Sequence, residues 1–118
     1  MEETLYNPKG QPIAYIEMQS SVTYLWNGKP VAYLADEHIY GFNGKHLGWF
    51  IKGVIWDETG RRVGFTKATL PVYASYEPYK SYKQYVPYKS YKSYPPYKPY
   101  FSNSISSHSL DSFLMQGV

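Results

Sequence analysis

The sequence predicts an all-β protein. The expected fold is a small closed barrel of four hairpin repeats with pseudo-four-fold symmetry, then an extended polyproline-II-like or disordered tail, then a short C-terminal helix. Three observations carry that expectation. Gly10, Gly28, Gly44 and Gly60, spaced 18, 16 and 16 residues apart, head four copies of one short unit. Tyrosine recurs at every third position from Tyr73 to Tyr100. Leu110, Phe113 and Leu114 then stand at helical spacing near the end. The expected boundaries are 1–70 for the barrel, 71–101 for the tail and 102–118 for a serine-rich segment with the helix.

The repeats read LYNPKGQPIAYI (5–16), TYLWNGKPVAYL (23–34), IYGFNGKHLGWF (39–50) and IWDETGRRVGFT (55–66). Four columns agree. An aromatic lies four before the glycine (Tyr6, Tyr24, Tyr40, Trp56), and a branched aliphatic lies three after it (Ile13, Val31, Leu47, Val63). A tiny residue follows (Ala14, Ala32, Gly48, Gly64), then a second aromatic (Tyr15, Tyr33, Trp49, Phe65). Asn27-Gly28 and Asn43-Gly44 are strong hairpin signals, because the tightest turns need positive φ. Pro8-Lys9-Gly10 and Glu58-Thr59-Gly60 serve the same purpose through a slightly longer loop. The flanking residues are β-branched or aromatic and favour strands.

Short links such as Ala35–His38 and Lys52-Gly53 force antiparallel neighbours, hence a meander of about eight strands. A lone hairpin is marginal in water, and closing the ring removes exposed edges. Alternation along a strand places the aliphatic and the second aromatic on one face. The expectation is that this large pair fills the core and the tiny residue faces away; the opposite facing would line a narrow axis with small residues.

The motifs IYGFNGKHLGWF and VIWDETGRRVGF resemble the four-fold β-flower proteins, small bacterial proteins with a shallow, roughly square barrel. The resemblance covers about residues 3–67, with repeats three and four matching best. Repeats one and two differ by Pro12 and Pro30 after the turn and by Ala in place of Gly. The ending PYFSNSISSHSLDSFL (99–114) is also similar to the C-termini of that family. The resemblance implies a fold related to tubby-like C-terminal domains, some of which bind membrane lipids. It implies no activity, and a shared fold carries little functional weight.

In the tail, lysine follows tyrosine five times (Lys80, Lys83, Lys89, Lys92, Lys98), and the third position is Ser, Pro or Gln. A period of three fits neither helix nor strand, and five prolines oppose both. Polyproline II has three residues per turn, so tyrosine, lysine and Ser/Pro would form three separate ridges. Fully extended, the stretch would reach roughly 90 Å. It is either a free arm or it lies on a surface. As a free stretch it is a spacer without a partner or an interaction arm.

The charge is uneven. Residues 1–70 carry seven basic and seven acidic side chains, whereas residues 71–118 hold five lysines against Glu77 and Asp111. All of the +3 excess sits in the tail. The candidate binding residues are therefore Tyr79, Lys80, Tyr82, Lys83, Tyr88, Lys89, Tyr91, Lys92, Tyr97 and Lys98, with Leu110, Phe113 and Leu114 as an apolar plug seeking a socket. Rigid aromatic contact and cationic attraction are what these residue types supply. Nucleic acid is disfavoured, because tyrosines on one ridge stand about 9 Å apart, too far to stack successive bases.

Catalytic chemistry has no visible bearer. The chain has no cysteine, nucleophile elbow, phosphate loop or dinucleotide fingerprint. His38, His46 and His108 stand at unrelated positions, with no carboxylate implied for His46. Asp36, Glu37 and His38 read as a solvated turn, and Asp57 and Glu58 as turn formers. Trp26, Trp49 and Trp56 read as structural, with Trp26 a candidate exposed binding aromatic.

No catalytic residue, metal or cofactor is expected. Neither a signal peptide nor an apolar span is evident, which makes a cytoplasmic location the expectation. The expected function is a non-catalytic binding or interaction module whose basic, tyrosine-rich arm engages a protein partner. The alternative is a lipid or anionic membrane-surface module using the barrel interior and the basic tail.

Overall fold

Each glycine turn does join two strands. In the computed structural model, which describes all 118 residues, the strands are β1 (Glu2–Tyr6), β2 (Pro12–Glu17), β3 (Val22–Leu25), β4 (Pro30–Ala35), β5 (His38–Gly41), β6 (His46–Ile51), β7 (Val54–Asp57) and β8 (Arg62–Phe65). A single helix, α1 (Leu110–Met115), follows. The strands pair antiparallel in chain order and close into a barrel. The closing seam is narrow: β1 and β8 share one register pair, Tyr6 opposite Phe65. No helix is long and apolar enough to cross a membrane.

All four turns use one loop. The N–H of each repeat glycine donates to the carbonyl three residues earlier: Asn7, Leu25, Gly41 and Asp57. The glycines sit at φ +83°, +90°, +88° and +85°, while Asn27 and Asn43 keep negative φ. The tight two-residue turn expected at the Asn-Gly pairs is thus a longer loop with one left-handed residue. Asn7, Asn27, Asn43 and Asp57 accept backbone N–H bonds through their side-chain oxygens, which holds the loop shape. Pro12 and Pro30 fit because their counterparts, His46 and Arg62, send their N–H groups out of the barrel, to Ser93 and Ser104. A proline there forfeits no ladder bond.

The facing of the large residues differs from the alternation reading. In each hairpin the register skips one residue: Ile13, Val31, Leu47 or Val63. The aliphatic column is therefore a β-bulge, which breaks the period of two and re-aims a side chain. Aliphatic and tiny residues both face inward: Val31, Ala32, Leu47 and Val63 lie in one core cluster with Leu5, Ala14, Ile16, Ile39 and Ile55. The second aromatic points the other way. Tyr15 and Tyr33 join Tyr24, Tyr40 and Phe42 in a separate cluster on the outer wall.

The inner cluster is completed from the far end of the chain. Leu110, Phe113 and Leu114 of α1 are each about 1% exposed and belong to it. The tiny column makes the space: a Cβ on Gly48 would meet Phe113 Cζ at 3.0 Å, and one on Gly64 would meet Leu110 Cδ1 at 3.0 Å. The helix enters beside the turns, where Asn43 donates its backbone N–H to Gly117 and its side-chain amide to Gln116. Barrel interior and plug thus share one core, and the interior holds no open channel.

The tail does not extend as a 90 Å arm. It has neither helix nor strand and runs as a belt around the turn end of the barrel. Ser75, Gln84, Ser93 and Ser102 donate their N–H groups to the carbonyls of Gly10, Gly28, Gly44 and Gly60 at 2.8–2.9 Å. The donors are nine residues apart, three triplets per hairpin. Ser81 and Ser90 add bonds to the carbonyls of Trp26 and Phe42. The other third positions, 78, 87, 96 and 99, hold proline, which has no N–H to satisfy.

Length explains the number nine. Extended backbone covers about 28 Å in nine residues, and a square inscribed in the 36 × 35 Å outline of the molecule has sides of about 25 Å. Two triplets, at about 19 Å, would fall short.

Two outcomes follow. Phe113→Ala removes a fully buried ring from the shared core and is expected to lower unfolding free energy by about 3–5 kcal/mol in denaturant melts; a loss under about 1 kcal/mol would show that the plug is dispensable. Gly44→Ala places a methyl group on the Tyr91 carbonyl and forces an L side chain into left-handed φ, itself costing about 1–2 kcal/mol. Hydrogen exchange should then show loss of protection at the Ser93 amide while the strand amides stay protected.

Candidate functional site

The belt sorts its side chains as three ridges. The ridge after tyrosine faces the outer aromatic wall. Lys80 Nζ stands 5.0 Å from the ring centres of Tyr15 and Trp26, and Lys83 Nζ lies 5.8 and 5.7 Å from those of Tyr15 and Tyr24. Lys89 covers Tyr33 at 4.4 Å, and Lys92 covers Tyr40 at 5.8 Å. The same ridge carries Phe101, stacked on Trp56 with centroids 4.7 Å apart and edge-on to Trp49 at 5.6 Å. Where the belt offers a lysine the wall is tyrosine, joined at Lys80 by Trp26; where it offers Phe101 the wall is tryptophan alone.

Acidic residues anchor the ends of the lysines. Lys83 Nζ lies 2.6 Å from Glu17 and 2.8 Å from Glu2, and Lys80 reaches Glu2 at 3.0 Å. Lys98 pairs with Glu37 at 3.2 Å. Hydrogen bonding to the two carboxylates pushes the Lys83 ammonium pKa above its ordinary value, and the bond from Lys83 draws both Glu2 and Glu17 below theirs. These pairs are partly exposed, so each contributes at most about 1 kcal/mol. Glu77 accepts from the Tyr6 hydroxyl at 2.7 Å; burial, and then this bond, raises the Tyr6 phenol to about 12.

The tyrosine ridge faces away. All ten tyrosines from Tyr73 to Tyr100 are at least 88% exposed. The predicted site residues therefore separate. Tyr79, Tyr82, Tyr88, Tyr91 and Tyr97 stand in solvent, whereas Lys80, Lys83, Lys89, Lys92 and Lys98 are committed to the barrel. Leu110, Phe113 and Leu114 find their socket in the same chain. Trp26 donates its indole N–H to the Pro78 carbonyl, so it holds the belt and is not a free binding aromatic.

The histidine reading needs correction. His38 and His46 are not unrelated: His38 Nδ1 lies 3.0 Å from His46 Nε2. Glu58 is more than a turn former, since its carboxylate lies 2.8 Å from His46 Nδ1. Asp57 does hold its turn, and it also accepts from Ser106 at 2.6 Å at the entry to the plug. The sequence held a signal for the histidine pair. His38 lies two residues before Tyr40, and His46 lies opposite Tyr40 once the bulge is counted.

No curated protein and no solved structure matches this chain. One family model does: that of the 4-fold beta flower protein, over residues 3–114. The match extends well past the four hairpins and includes both belt and plug, which is how the structure unites them. A four-hairpin barrel, hooped by its own tail and closed by its own C-terminal helix, is the body that this match describes, and the chain belongs to the 4-fold beta flower protein family.

Proposed function

We propose that this protein is a non-catalytic binding module that engages a protein partner through the tyrosine ridge of its belt. The observation that carries the reading is the separation of side chains within one triplet repeat. Ten phenols point outward from a belt held to the barrel at each turn, while the lysines point inward. Tyrosine offers large amphipathic contact area at low entropic cost. A belt held at four corners orders those rings in advance, which lowers the cost of binding.

The membrane-surface reading draws less support. It relied on the barrel interior and on a free basic arm. The interior is packed by Leu110, Phe113 and Leu114, and all five tail lysines lie over aromatic rings or against carboxylates on the barrel.

The test uses the full chain with Tyr79, Tyr82, Tyr88 and Tyr91 changed to serine. These side chains touch solvent, so the melting temperature should stay within a few degrees of the parent. Affinity capture should lose the protein partners that the parent retains, at low and high salt alike. Identical partner lists would refute the reading. Salt-sensitive co-sedimentation of the parent with anionic vesicles would move the proposal to the membrane alternative.

A further inference from the structure

Belt and barrel repeat in step. Nine residues along the belt lead from Lys80 to Lys89 and from Lys83 to Lys92, and 18 residues along the barrel lead from Tyr15 to Tyr33. The two lysine pairs meet matching walls. Lys80 and Lys83 lie over Tyr15, and Lys89 lies over Tyr33 at 4.4 Å. Lys92 lies over Tyr40, which holds the place in its hairpin that Tyr24 holds beneath Lys83.

The acids do not repeat. At the first pair one carboxylate spans both ammonium groups: Glu2 Oε1 lies 3.0 Å from Lys80 Nζ, and Glu2 Oε2 lies 2.8 Å from Lys83 Nζ. Glu17, opposite Glu2 in the β1–β2 ladder, adds a contact of 2.6 Å to Lys83. The same 18-residue step leads from Glu2 and Glu17 to Ser20 and Ala35, which carry no charge. Lys98 has Glu37, so Lys89 and Lys92 are the tail lysines without a carboxylate within 4 Å. A tyrosine ring attracts an ammonium and fixes its position, but brings no opposite charge to cancel it.

Both of these lysines are exposed. They border an open cleft of about 680 Å³ with Tyr33 and Ser90, and with Tyr88 and Tyr91 of the outward ridge. Lys92 also borders a neighbouring cleft of about 430 Å³, where the Glu58–His46–His38 line ends at His38. Asp36 lines that second cleft but lies beyond ion-pair distance of Lys92.

We propose that Lys89 and Lys92 form a carboxylate-binding site, filled by an Asp or Glu side chain from an acidic segment of the protein that the tyrosine ridge engages. The inference rests on that reading of the ridge and names the chemistry of its partner. Glu2 displays the binding mode within the same molecule, with one oxygen for each ammonium. Charge-assisted hydrogen bonds of this kind are about twice as strong as neutral ones. Ammonium groups already held over rings lose little freedom on binding. Tyr88 and Tyr91 flank Lys89 along the ridge and offer ring surface to the residues beside the acid. A carboxylate template and an aromatic rim fit an acidic peptide better than a lipid headgroup.

A hexaglutamate peptide titrated into the full chain tests the site by NMR. Saturable shifts are expected at the amides of Lys89, Ser90 and Lys92, with those of Lys80 and Lys83 unmoved. Lys89→Gln with Lys92→Gln should weaken binding about tenfold or more, as loss of charge-assisted bonds implies. Ala35→Glu supplies an acid at the position equivalent to Glu17 and should weaken binding without lowering the melting temperature. Lys9→Gln with Lys67→Gln removes the same charge from exposed side chains outside the belt and should match the parent. Equal weakening in that control would reduce the effect to net charge and overturn the site. Saturation by inorganic phosphate or anionic phospholipid vesicles, with none by hexaglutamate, would overturn the carboxylate assignment. Affinity capture separates this inference from the reading beneath it. Loss of the same partners from Lys89→Gln with Lys92→Gln as from the four-tyrosine variant supports the site. If the lysine variant keeps every partner that the tyrosine variant loses, the acidic site falls and the ridge stands.

Discussion

Four backbone hydrogen bonds, from Ser75, Gln84, Ser93 and Ser102 to the carbonyls of Gly10, Gly28, Gly44 and Gly60, govern the outer architecture of this molecule. Each alone contributes about 0.5–1.5 kcal/mol. Their weight comes from register. They require nine belt residues per hairpin, bare glycines at the turns and donors at the third position of the triplet. Once those positions are set, the side chains on each side of the belt have no choice of face. The lysine ridge meets the aromatic wall, and the tyrosine ridge meets water. The belt also starts and ends on the two hairpins that flank the narrow β1–β8 seam, so it supports closure where pairing between strands is thinnest.

The bulge and the plug are two parts of one solution to packing. Eight short strands leave a small interior. By sending the bulged aliphatics and the tiny column inward, the repeat keeps that interior narrow and apolar. Gly48 and Gly64 then admit Phe113 and Leu110 at contact distance. The second aromatics, displaced to the outside, would form a large exposed apolar band if left bare. The belt covers that band. Barrel, belt and plug therefore complete one another, which accounts for a family match that runs to residue 114.

Much of this was legible in the residues. The four glycines marked four hairpins, and positive φ is why glycine stands there. The triplet period correctly separated tyrosine from lysine. What the period could not show was the longer one behind it. Prolines at 78, 87 and 96 recur every nine residues, but only contact with the turns reveals that they occupy positions with no amide to satisfy. The facing of Tyr15 and Tyr33 was misread because a bulge is one residue of backbone geometry with no residue type of its own. The His46–Glu58 contact was missed because it crosses between neighbouring hairpins, a distance that spacing along the chain does not encode.

The sequence by itself determined the units: four hairpins, a triplet tail and an apolar end. These follow from local physics, namely φ at glycine, strand propensity, proline and the spacing of apolar residues. The tertiary structure decided how the units use one another. It turned a basic arm into a belt whose charges are committed to the barrel, a free plug into the core of its own chain, and scattered histidines into a line ending at a cleft. Those outcomes depend on distances across the folded body, set by the match between a nine-residue extended span and the side of the barrel.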